Sequence, residues 1–144
     1  MNIAWVVAGS LALLGAAIHG GAGEIFVVRK LSPRELPASP FGGGGMTKAM
    51  IRAAWHMATI ALLTVGFALV LSGSVLRGDI AQAIGVFAAA SSTAIGVLVG
   101  AVAFARGRRA LAHRATDRRE LRGFLHPGPA ILIAIPVLAW VGLA

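Results

Sequence analysis

Four histidines and one carboxylate set within an apolar run are the side chains of this sequence best equipped for chemistry: His19, His56, His113, His126 and Glu24. Arg52 and His56 stand at i and i+4, so on a helix they share a face, with Thr59 one turn further along. Imidazole is the commonest metal-binding side chain, and a set of imidazoles with a carboxylate suits Zn, Fe or Mn better than Cu(I). The metal-ligating candidates are His19, Glu24, His56 and His126. Two histidines on facing helices can instead hold the iron of haem b, and His19 with His56 is the pair for that role. Arg52 and Thr59 are the supporting polar residues. A metal-free arrangement is open as well: Glu24 paired with Arg52 or with a protonated histidine, moving protons or binding a quinone head group. His113 lies among arginines and reads as solvated. The chain contains no cysteine, which excludes disulfides, thiolate metal sites and cysteine nucleophiles.

These residues must be positioned by membrane helices. The 144 residues are 58% hydrophobic and 12% charged, too apolar for a soluble domain. Four spans of roughly 20 residues use most of the chain and leave no room for a separate catalytic domain. The expected fold is all-α, an antiparallel four-helix transmembrane bundle. It forms a single integral membrane domain over residues 1–144, with spans near 3–28, 46–71, 80–105 and 127–143. The thirteen basic residues divide sharply between the loops. Arg29, Lys30, Arg34, Lys48 and Arg52 surround the first gap, Arg77 alone lies in the second, and Arg106, Arg108, Arg109, Arg114, Arg118, Arg119 and Arg122 fill the third. By the positive-inside rule, loops one and three are cytoplasmic, and both termini lie outside the cytoplasm. The formal charge of +8 then reflects topology and attraction to anionic headgroups, not nucleic-acid binding.

With Arg29 and Arg52 marking the cytoplasmic rim, His56 lies about 6 Å inside it, Glu24 about 7 Å and His19 about 15 Å. His126 opens the fourth span at the rim. Three helices thus bring imidazoles and a carboxylate to one part of the bundle, where ionisable groups are costly and usually functional. One difficulty is angular. Five residues of regular helix turn through about 140°, so His19 and Glu24 would not share a face. The run His19-Gly20-Gly21-Ala22-Gly23-Glu24 is weak helix, and a kink or unwinding there is expected to bring them together.

Small residues mark the packing faces: Ala8, Ala12, Ala16 and Gly20 on span one, and Gly85, Ala89, Gly96 and Gly100 on span three. Their extent suggests a homo-oligomer or a place in a larger membrane complex. Ser91, Ser92 and Thr93 at the middle of span three are expected to bond back to helix carbonyls. The prolines of residues 33–40 and the Gly42–Gly45 run read as a flexible linker. Pro127 and Pro129 suit a helix start, and Pro136 should kink the last span. Trp5 and Trp140 are expected as anchors at the outer interface, and Trp55 at the inner one. Loop three reads equally as an interfacial helix or a solvated basic loop.

The segments His19-Gly20-Gly21-Ala22-Gly23-Glu24, Arg52-Ala53-Ala54-Trp55-His56-Met57-Ala58-Thr59 and His126-Pro127-Gly128 together resemble a widespread group of small, four-span, uncharacterised bacterial membrane proteins. In that group a Trp often follows His-Pro-Gly, whereas here Pro129 does. The resemblance implies the four-span fold and a bacterial inner membrane, and singles out these residues; it implies no activity. From the residues themselves, the expected function is metal or haem binding for redox chemistry or metal handling. The competing expectations are a non-catalytic accessory or assembly subunit and, more remotely, an oligomeric small-solute transporter.

Overall fold

The computed structural model of the chain describes residues 1–112 and 128–144, and every described regular element but one isolated bridge is helical. The first helix, α1, covers Ile3–Ala17 and is followed by a π-helical turn over Ile18–Ala22. A short α2 (Gly23–Phe26) and a 3₁₀ turn (Val28–Lys30) finish that rod. Then come α3 (Gly44–Ser74), α4 (Gly78–Ala112) and α5 (Gly128–Val141). Three stretches are long and apolar enough to cross a membrane: Ile3–Lys30, Gly44–Ser74 and Gly78–Ala105. A further apolar helix, α5, is described over 14 residues, directly after the residues that lie outside the described part of the chain.

The helices alternate in direction. Asn2, which caps α1 by accepting from the Trp5 N–H, donates its backbone N–H to Gly73 O near the end of α3 and its side-chain amide to Gly142 O just past α5. Helix α1 packs on α3 and α5, and α4 closes the ring by packing on the same two. The closest approach is α1 on α3. A methyl group added at Gly9 would stand 2.6 Å from Gly66 O, 2.7 Å from Val70 Cγ2 and 2.8 Å from Val70 N, so α1 meets the α3 backbone directly at this glycine. Such proximity favours dispersion and weak Cα–H contacts, the attractions left when lipid is as apolar as the helix.

The α1 small-residue ladder is consumed in this packing: Ala8, Ala12 and Ala16 are fully buried or nearly so. On α4, Gly85 faces the Trp5 indole and Ala89 is buried, while Gly96 approaches Leu132 O of α5; Gly100 faces open space. Trp5 departs from the interface role expected of it. It is 4% exposed, donates its indole N–H to Ala139 O, and fills the space left by Gly85 and Gly142. A large flat ring opposite two glycines is a core filler whose one polar atom has found a carbonyl. Ser92 and Thr93 both donate to Ala89 O, the back-bonding expected of them. Gly44 and Gly45, expected in the linker, form the first turn of α3.

The packed core lies toward the end that holds Asn2, Gly73 and Gly142. Its buried members are Trp5, Ala8 and Ala12 on α1, Val65 and Leu69 on α3, Ala81, Ala88 and Ala89 on α4, and Ile135 and Ala139 on α5. At the opposite end, α4 carries Val97, Leu98, Val102 and Phe104 exposed, and the buried residues described on the first rod are Val28 and Glu24. His19, His56 and the first loop all belong to that end, away from the main apolar core of the described residues.

Candidate functional site: a buried carboxylate and two imidazoles along one helix seam

The π-turn resolves the angular difficulty. Gly23 N–H bonds to Ile18 O, five residues back, so the turn holds one residue more than an α-helical turn would. Each residue of helix accounts for about 100°, so the extra one reduces the separation of His19 and Glu24 from about 140° to about 40°. The glycines have a second purpose that the sequence reading missed. A methyl group at Gly20 would lie 2.7 Å from Thr59 Cγ2, and one at Gly23 would enter the Trp55 ring. These two glycines let α3 lay Trp55 and Thr59 directly against the turn. The available signal was pairing: glycines three apart on one rod, and Trp55 and Thr59 four apart on the other.

Against the turn, His19 is held on three sides. Its ring stacks on Trp55 with centroids 4.3 Å apart and planes 9° from parallel. Its Nδ1 lies 2.9 Å from Thr59 Oγ1. Its backbone carbonyl accepts the Trp55 indole N–H at 2.9 Å. The Thr59 hydroxyl also reaches Trp55 O, at 3.2 Å. Trp55, expected as an interface anchor, is thus a wall of the site.

Two residues beyond the π-turn stands Glu24, 7% exposed. Arg52 Nη2 is 2.8 Å from Oε1 and Arg29 Nε 3.6 Å from the same oxygen, while His56 Nε2 is 3.4 Å from Oε2. Arg52 and His56 reach the carboxylate together because α3 presents them one turn apart. Among the described residues, though, neither carboxylate oxygen receives an aligned hydrogen bond. The two observations are compatible: Coulomb attraction depends on distance, whereas a hydrogen bond also requires the N–H to point at its acceptor. Glu24 is therefore compensated in charge but not saturated in hydrogen bonding. The Arg29 and Arg52 side chains stay largely exposed, so the desolvation cost falls mainly on Glu24. Arg29 was read from sequence only as a topology charge.

Of the residues singled out from sequence, His19, Glu24, Arg52, His56 and Thr59 lie along one seam between the first rod and α3. Glu24 is in direct contact with Arg52 and His56, and His19 is in contact with Thr59. His113 and His126 fall outside the described residues. Among the described residues, no three His, Cys, Asp or Glu side chains converge as a ready-made metal cage. No family model, curated protein or solved structure matches this chain.

Proposed function

We propose that this chain is a four-span protein of a bacterial inner membrane, with both termini outside the cytoplasm, and that the seam between the first rod and α3 binds a metal centre through His19 and His56. The observation that carries this reading is that each imidazole has a polar partner at one ring nitrogen. His19 Nδ1 is hydrogen-bonded to the Thr59 hydroxyl, and His56 Nε2 lies 3.4 Å from the buried Glu24 carboxylate, an ion-pair distance without an aligned hydrogen bond. Metal-binding histidines characteristically have such an outer partner, which fixes the ring and directs the other nitrogen to the metal. In this reading Glu24 belongs to the outer layer, since Arg52 already engages it.

The charge balance favours haem b over a bare divalent ion. Two arginines face one carboxylate, so the site carries an excess of positive charge that opposes a further cation. Haem brings two propionates, which suit exposed guanidinium groups at a membrane rim. Val102 and Phe104 of α4, exposed at the same end of the bundle, offer apolar surface that suits a flat apolar group. Redox chemistry or metal handling is the consequent activity.

Titrating the detergent-solubilised protein with haem b, and separately with Zn2+, tests the proposal. Haem should bind with a shifted Soret band, and His19→Ala or His56→Ala should each abolish that shift. If neither haem nor Zn2+ binds to a folded bundle, the cluster is structural. The chain would then be better read as an accessory subunit of a larger membrane assembly.

A further inference from the structure

The hydrogen bonds around Thr59 specify which nitrogen of His19 is available. Thr59 has one hydroxyl proton and two neighbours that could take it: His19 Nδ1 at 2.9 Å and Trp55 O at 3.2 Å. If the proton goes to Nδ1, one bond forms and the contact with Trp55 O is spent. His19 then carries its own proton on Nε2, for which the described residues provide no acceptor. If the proton goes to Trp55 O, the back-bond usual for a helical threonine, Oγ1 is free to accept from Nδ1–H. Both contacts are then hydrogen bonds, and no imidazole N–H is left without a partner. In this part-buried seam, two bonds are favoured over one bond and a donor without a partner, because such a donor loses part of its hydration with nothing in return.

We infer that the Thr59 hydroxyl, oriented by the Trp55 carbonyl, fixes His19 as the Nδ1–H tautomer and leaves Nε2 as a lone-pair nitrogen that takes a transition-metal cation, free or in haem. Thr59 is a positioning residue here: it touches the imidazole, not the ligand. Trp55 contributes twice, through the carbonyl that orients the hydroxyl and through the indole stacked on the ring. The chain Trp55 O, Thr59 Oγ1, His19 Nδ1 runs from α3 to the π-turn, so the tautomer is set only when these two elements pack. The ligand assignment rests on the proposed function, whereas the tautomer rests on the hydrogen-bond geometry alone.

The test is the nitrogen and carbon chemical shifts of the His19 ring in isotopically labelled, full-length protein in lipid nanodiscs, without added metal. The expected result is a protonated Nδ1 and an unprotonated Nε2. Thr59→Ser, which retains the hydroxyl, should preserve that pattern. Thr59→Val, which keeps the shape, should give a mixture of tautomers. With Co2+ and haem b as probes, Thr59→Val should weaken binding by roughly 10- to 100-fold and Thr59→Ser by much less. A wild-type His19 protonated on Nε2 overturns the inference, whatever binds. The expected tautomer in a protein that binds neither probe leaves the tautomer standing and overturns its assignment as a ligand. If Thr59→Val keeps a single Nδ1–H form, Thr59 does not position the ring.

Discussion

At the scale of single residues, the account turns on a carboxylate that is buried and yet surrounded by cations free to reach water. Replacing Glu24 with Ala removes the group that carries the desolvation cost. Arg29 and Arg52 stay solvated, so the loss should be smaller than for a fully buried pair: about 1–2 kcal/mol, measured by reversible unfolding in mixed detergent micelles. A larger loss would mean that the arginines are less solvated than their exposure indicates. Any metal bound by His19 and His56 should also be released on acidification, because protonated imidazole has no lone pair to offer. The sequence disclosed Arg52, His56 and Thr59 well, because helical spacing alone puts them on one face. It did not disclose Trp55 or Arg29 as members of the site. A tryptophan near a membrane face and an arginine in a loop each have an ordinary explanation, and only packing distinguishes the special case.

At the scale of elements, the decisive piece is the π-turn at Ile18–Ala22. Its need was legible, since His19 and Glu24 cannot share a face in a regular helix. Its form was not, because a glycine run can kink, unwind or widen, and the choice depends on how α3 fits against it. Gly21 points away from all neighbours: a methyl group there meets nothing within 4 Å. Gly21→Ala should therefore leave both fold and site intact. Deleting Gly21 should restore an α-helical turn with His19 and Glu24 still about 40° apart, whereas inserting an alanine beside Gly21 should rotate His19 by about 100° relative to Glu24. For the insertion variant, circular dichroism should show unchanged helix content while the His19 contact with Thr59 and any haem binding are lost. If the insertion variant binds as well as the parent, the turn does not set the site's geometry. The small-residue ladder on α1 was equally legible, though its role was not. It fills the interior of one chain, so the case for self-association now rests on weaker ground, chiefly Gly100 of α4.

For the whole molecule, composition and loop charges indicated an all-helical chain with membrane-length apolar helices, and three of the described helices have that character. The fourth apolar helix is described over Gly128–Val141. The split of five, one and seven basic residues predicts that reporters fused after Ala144 are active outside the cytoplasm and reporters in loop three inside it; the reverse pattern would move the His/Glu seam to the other side of the membrane. The central claim, a metal centre held by His19 and His56, is tested most directly by the absorption spectrum and elemental content of the protein purified from the membrane of a haem-producing host. The account predicts a Soret band with close to one iron per chain, absent from His56→Ala protein of normal helix content. A colourless, metal-free wild-type preparation with an intact bundle would contradict it.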